Sequence, residues 1–251
     1  MSRTQDTKTT SNPANKFISL SGTSGKFYYW DKNLKEKVEL EYPITFLPLD
    51  VLSKITGYHQ AEKKGIYSNE VHNLANERLV VKLNGGGELA SGFYQDIKTQ
   101  IKEIGGKFTN SVYAMMKKDD DFEIVNFQFH GASLSPFIEY TQYVGNIYAN
   151  AIQISKSEKT QNGSITYYVP TFKTIKTTPE TSTRADELDI VLQRYFKKDD
   201  ADELVEKVEE LEPIDDDLPF WTVWIILIGL ENKNLVVLFA VENPILITLP
   251  L

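Results

Sequence analysis

The chain has 251 residues, 41% hydrophobic and 12% aromatic, enough for one large core or two small ones. It contains no cysteine, which excludes a disulfide framework and any thiolate metal site and agrees with a reducing, cytoplasmic setting. The net charge of −8 is unevenly placed: residues 199–220 carry about −10, residues 221–251 about −1, and the body before them is left about +3, a division that suits a binder of polyanions with an acidic arm better than a uniformly acidic enzyme.

Residues 1–16 are polar, lack the apolar stretch of a signal peptide, and are expected to form a disordered leader. Residues 27–30 and 37–41 flank a turn at Asp31, Lys32 and Asn33, which predicts a hairpin. Residues 44–52 are apolar enough for a buried strand and are expected to run into a short helix over 51–56, with Pro43 and Pro48 interrupting. Residues 57–70 read as a polar loop carrying aromatics. Residues 78–83 predict a short strand closed by Asn84 and three glycines, and residues 91–105 an amphipathic helix with Tyr94, Ile97, Ile101 and Ile104 at spacings of three or four.

Four further strands are predicted over 108–117, 122–130, 148–156 and 164–173, with a short helix over 135–143. Strands on both sides of one helix predict a mainly β fold, a five-stranded oligonucleotide-binding (OB-fold) barrel with an extra hairpin and one or two helices. An open antiparallel sheet with helices at one end gives a similar order. This domain is expected over 17–175, a Thr/Pro linker and helix over 176–198, an acidic disordered tail over 199–220 and an apolar extension over 221–251. The helix is read as packing on the barrel or pairing with a second subunit in a homo-oligomer. Apolar runs in the extension are about ten residues or fewer, short of the roughly 20 of a membrane helix, so no membrane association is expected.

Catalytic signatures are weak. His59, His72 and His130 have no helical zinc spacing, residues 131–135 miss the last glycine of a nucleophile elbow, and the glycines at 85–87 lack the Lys-Ser/Thr of a phosphate loop. Asp119, Asp120 and Asp121 stand where a hairpin must turn. No catalytic group, metal or cofactor is expected.

Binding a single strand needs cations for the phosphates and flat side chains for the bases, with stacking worth about 1–3 kcal/mol per base. Alternation puts Phe127 and Phe129 in the core, and sets Tyr113 and Lys117 on the face opposite Val112, Ala114 and Met116. Tyr28 and Trp30 likewise share a face opposite Phe27 and Tyr29. The expected nucleic-acid contacts are the aromatics Tyr28, Trp30, Tyr67, Tyr94 and Tyr113 and the cations Lys82, Lys98, Lys107 and Lys117.

Asp215, Asp216 and Asp217 abut Leu218, Pro219 and Phe220, so an acidic run ends in two apolar prongs held extended by proline. This segment resembles the acidic tail tip of bacterial single-stranded DNA-binding proteins, and residues 92–116, 123–140 and 163–173 are similar to the bodies of such proteins from bacteriophages and small-genome bacteria. The resemblance implies an OB-fold, sequence-independent binding of single-stranded DNA, and recruitment of replication, recombination and repair enzymes through residues 215–220. A non-nucleic-acid adaptor and an RNA-binding module are the alternatives. In that family the tip is the C-terminus, whereas here Trp221 follows. UGA is a stop codon in the standard code and Trp in some variant codes, so residues 221–251 are expected to be translated past a natural stop.

Overall fold

The structure, a computed structural model, describes residues 11–119, 121–199, 224–231, 234–240 and 245–250. It divides into two compact units, Met1–Asp217 and Leu218–Leu251. The second is an antiparallel meander of three strands at Trp224–Glu231, Asn234–Ala240 and Ile245–Pro250. The expected tail and its tip at Asp215 to Phe220 lie outside the described residues.

The first unit is mainly β, as its alternation predicts. Its strands are β1 (Phe17–Leu20), β2 (Phe27–Asp31), β3 (Glu36–Glu39), β4 (Ile44–His59), β5 (Lys64–Ser68), β6 (Leu79–Leu83), β7 (Glu88–Gly92), β8 (Gly106–Lys118), β9 (Asp121–Phe129), β10 (Ala151–Asn162) and β11 (Ile165–Ile175). Three helices accompany them: α1 (Tyr94–Glu103), α2 (Leu134–Val144) and α3 (Pro179–Asp199). The ladder runs β3-β2-β1-β9-β8-β4-β5-β6-β7, with the β10-β11 ribbon branching from the start of β4. Its two ends do not pair with each other, so hydrogen bonding among the described residues does not close the sheet into the expected five-stranded barrel.

β4 is the spine. Sixteen residues long, it pairs with β8 along most of its length, with β10 at Ile44–Phe46 and with β5 at Thr56–His59. The helix expected over 51–56 is absent because Leu52 and Ile55 fall on opposite faces of β4 and each is buried there, a demand that period two meets and a helix does not. Pro48 causes no break, since it sits at a register irregularity between Pro48 and Asp50 where the ladder skips a bond that proline cannot donate. The polar loop expected over 57–70 is instead the end of β4, a turn with Lys63 in the left-handed region, and β5.

One face of the sheet carries two apolar clusters. The larger joins Ile18, Phe27, Phe46, Val112, Val125, Phe127, Phe129 and Ile152, with Phe137 of α2 stacked 4.2 Å from Phe129. Phe127 and Phe129 are core residues, as predicted. The smaller packs Ile97 and Ile101 of α1 on Ile55, Ile66, Leu79 and Val81. α3 covers part of the other face with Ala185, Leu188, Leu192, Tyr195 and Phe196, lying on Leu47, Leu52, Tyr113, Met115 and Ile124. Pro179 starts α3 where its missing N–H costs nothing, and Thr178 Oγ1 accepts from the Thr181 N–H at 3.3 Å.

Residues 12–16, expected to belong to a disordered leader, extend β1 along β9: the Asn15 N–H donates to the Ile124 carbonyl and the Asn126 N–H to that of Lys16. Ala14 is buried and Lys16 pairs with Glu123. Five residues suffice because a free ladder edge of β9 supplies the backbone bonds. Residues 1–10 of that leader lie outside the described residues. Among the described residues, no helix is long and apolar enough to cross a membrane.

α1 is seated by a close backbone approach. A Cβ on Gly57 would lie 2.3 Å from the Gly105 carbonyl oxygen, and one on Gly106 would lie 2.5 Å from Ile101 Cγ2. Gly57→Ala is expected to destabilise the protein by about 1–3 kcal/mol, because the obstructing atom is backbone and cannot rotate away. Urea denaturation checks this; a midpoint unchanged from the native chain would contradict the packing described.

Candidate nucleic-acid interface

Register partners in a ladder place their side chains on the same face, so pairing alone maps the face opposite the apolar clusters. One line of partners crosses the sheet through Glu39, Tyr28, Ser19, Gln128, Ser111 and Leu52. A second runs through Lys107, Thr56, Tyr67, Lys82 and Glu88. Trp30 stands opposite Lys37 on the first flank, two residues from Tyr28. Seven of the nine predicted contacts thus share one face: Tyr28, Trp30, Tyr67, Lys82, Lys107, Tyr113 and Lys117. Five strand spacings separate β2 from β5, ~24 Å.

Between the two aromatic and basic flanks lies a floor of polar side chains. Ser19, Lys54, Thr56, Thr109, Ser111, Asn126 and Gln128 are all buried on this face. Thr56 and Thr109 hydroxyls hydrogen-bond across the ladder at 2.7 Å. Trp30 is 41% exposed, the most open of the predicted aromatics, whereas Tyr28 is half-buried with the Lys37 ammonium 4.1 Å from its ring centroid. Tyr67, Lys82 and Lys107 are half-buried.

The remaining predicted contacts are placed elsewhere. Tyr113 is on the expected face, but it is buried under α3 with Phe196 edge-on to its ring at 5.3 Å. No base can stack there. Sequence alternation identified the face but could not show that a helix some 80 residues away covers that part of it. Tyr94 and Lys98 belong to α1 on the opposite side of the sheet, Tyr94 packing at 5.4 Å from Phe108 and Lys98 donating to Gln95 at 2.8 Å. Lys117 is exposed at the far end of β8, ten residues and so ~33 Å from Lys107, with the α3 contact between them.

A part-buried polar network that the sequence did not reveal anchors the floor. The Glu70 carboxylate accepts from Lys54 Nζ at 2.9 Å, Ser111 Oγ at 2.5 Å and Tyr113 Oη at 2.7 Å. Behind these donors, Asn126 Nδ2 donates to Ser111 Oγ at 2.7 Å and Asn12 Nδ2 to Tyr113 Oη at 3.1 Å. Burial pushes the Glu70 carboxyl up, but the Lys54 ammonium and the hydroxyl donors outweigh it and hold the group below the usual carboxylate range. Burial, reinforced by the Glu70 charge, pushes the Tyr113 phenol well above its ordinary value, which keeps it a neutral donor. Lys54 is neutralised locally; the other lysines the register lines place on this face are Lys37, Lys82 and Lys107, together with the carboxylates Glu39 and Glu88. Lys37 was legible in principle, since closing the predicted hairpin puts it opposite Trp30. Lys54 was hidden by the helical reading of residues 51–56, and Glu70 by its distance in sequence from its donors.

No family model, curated protein or solved structure matches this chain.

The network makes stability depend on pH with a definite sign. A carboxyl held low in the folded state stabilises it above the unfolded-state pKa, and that contribution fades as pH falls through the folded value. Glu70→Gln is expected to cost about 1–3 kcal/mol near neutrality, since it leaves the Lys54 charge uncompensated, and to cost progressively less as pH drops below the usual carboxylate range. Urea midpoints measured across the acid range for both chains check this; parallel curves would show that Glu70 titrates normally.

Proposed function

We propose that the protein is a non-catalytic binder of single-stranded DNA, which lies across the polar floor between the Tyr28–Trp30–Lys37 flank and the Tyr67–Lys82–Lys107 flank. The observation that carries this reading is the register. It brings three aromatics and three lysines from five separate strands onto one face, with a run of mainly polar side chains between them. Cations at the flanks hold the phosphates, exposed aromatic faces take bases by stacking, and neither reads sequence.

The path of the sheet supports an OB-type fold. A partly open Greek-key barrel binds oligonucleotides on the face of its central strands. Here one long strand, β4, is shared between β8 and the β10 ribbon, α2 intervenes between β9 and β10, and the parallel pair β1-β9 completes the wall around the phenylalanine cluster. The acidic tip from Asp215 to Phe220 is proposed, on its sequence, as the segment that recruits replication, recombination and repair enzymes, in a protein working in the cytoplasm.

Fluorescence anisotropy with labelled oligo-dT, duplex DNA and RNA at low and high salt tests the reading. Oligo-dT is expected to bind most tightly, with affinity falling linearly with salt on logarithmic axes. Trp30→Ala is expected to weaken binding by about 1–3 kcal/mol, and Phe220→Ala to leave it intact while abolishing capture of partner enzymes. A preference for RNA would redirect the assignment to an RNA-binding module, and the absence of salt-sensitive binding to any of the three would favour a protein adaptor.

A further inference from the structure

We propose that the solvent side of α3 is a self-association surface, on which a second copy of this chain lays its own α3 antiparallel about a two-fold axis between Ile190 and Val191. α3 docks on the sheet through Ala185, Leu188, Leu192, Tyr195 and Phe196. The outward stripe holds Glu187, Ile190, Val191 and Arg194, at the i, i+3, i+4, i+7 spacing of a single helix face. Ile190 is 53% and Val191 46% exposed, the only large apolar residues that α3 turns to solvent.

Charge placement selects the occupant and its direction. Glu187 lies three residues before Ile190 and Arg194 three residues after Val191, so the two charges are equidistant from the midpoint of the apolar pair. In an antiparallel pair each Glu187 meets the Arg194 of the other copy, giving two ion pairs around an aliphatic centre. A parallel pair would set Glu187 against Glu187 and Arg194 against Arg194. A surface complementary to itself under a two-fold rotation is what an isologous dimer requires. Arg184, 2.6 Å from Glu187, holds that carboxylate at the surface rather than burying it.

Two aliphatic side chains and their flanks bury well under the roughly 1,000 Å² of a stable interface, so the contact is weak between free molecules. It gains weight where copies are held together on one nucleic acid, at effective concentrations of order mM. That use rests on the proposed function; the contact itself does not.

The absence of native cysteine gives a direct test on the full chain without nucleic acid, because an introduced thiol is the only one present. Ile190→Cys under mild oxidation is expected to form a disulfide dimer several-fold faster than Tyr143→Cys, whose position on α2 is 91% exposed. Adding Arg194→Glu is expected to slow the Ile190→Cys reaction about fivefold, and combining Glu187→Arg with Arg194→Glu to restore it. A rate no faster than that of Tyr143→Cys, or a double exchange that fails to restore the rate, overturns the proposal. Oligo-dT is added in a parallel arm: acceleration there depends on strand binding, whereas the oligonucleotide-free rate does not, so failure of one reading is distinguished from failure of the other.

Discussion

The structure depends on a single strand that must satisfy two environments at once. β4 faces the aromatic and aliphatic clusters with Phe46, Val51 and Ile55, and the opposite side with Leu47, Leu52, Lys54 and Thr56. Its register irregularity between Pro48 and Asp50 shifts the alternation by one residue, so that even-numbered side chains face the core before it and odd-numbered ones after it. Because β8, β5 and β10 all take their register from β4, a one-residue slip there would exchange the two faces for most of the sheet. The apolar clusters on one face therefore hold the polar face in place on the other.

That polar face is divided by what covers it. Where α3 and residues 12–16 lie, the sheet contributes Leu52, Tyr113, Met115 and Ile124, and the contact is a second small core. Beyond α3 the side chains change to serine, threonine, asparagine and glutamine. The Glu70 carboxylate stands at the boundary and ties both regions together, accepting from Tyr113 under α3 and from the buried Ser111 and Lys54 of the polar stretch. A part-buried ion pair of this kind is a weak source of stability, because desolvation offsets much of the attraction. It also fixes geometry, since three donors from two strands converge on one carboxylate.

Local pattern was legible and long-range cover was not. The β2-β3 hairpin, β6, the four long strands from β8 to β11 and all three helices follow from periodicity and turn residues, and the alternation in β8 and β9 assigned Phe127, Phe129 and Tyr113 to their faces. Most of the readings that failed share one cause. Residues 51–56 look helical and residues 57–70 look like a loop only when considered without β8 and β5, whose pairing decides them. Tyr113 looks available for stacking only without α3, and residues 12–16 look unstructured only without the open edge of β9. Tyr94 and Lys98 were grouped with the strand residues by proximity in sequence to basic neighbours, and helical packing carried them to the other side of the sheet.

A polar floor on the central strands of a sheet is not what burial of apolar area alone would select. Covering that face with valine and isoleucine would suit β propensity and bury more apolar area. Short hydroxyl and amide side chains forgo that gain, and burying them costs free energy wherever a polar atom goes unbonded, as the Asn126 Oδ1 does. Under the proposed function their small size keeps this stretch of the sheet low between the two flanks. The residues that rise above it are Trp30 and Tyr28 at one side and Tyr67 with Lys82 and Lys107 at the other, the two chemistries a nucleic-acid strand presents to any binder: flat bases and charged phosphates. On the proposed reading, the placing of Trp30, Tyr28, Tyr67, Lys82 and Lys107 at two rims of a mainly polar floor follows from strand binding rather than from stability.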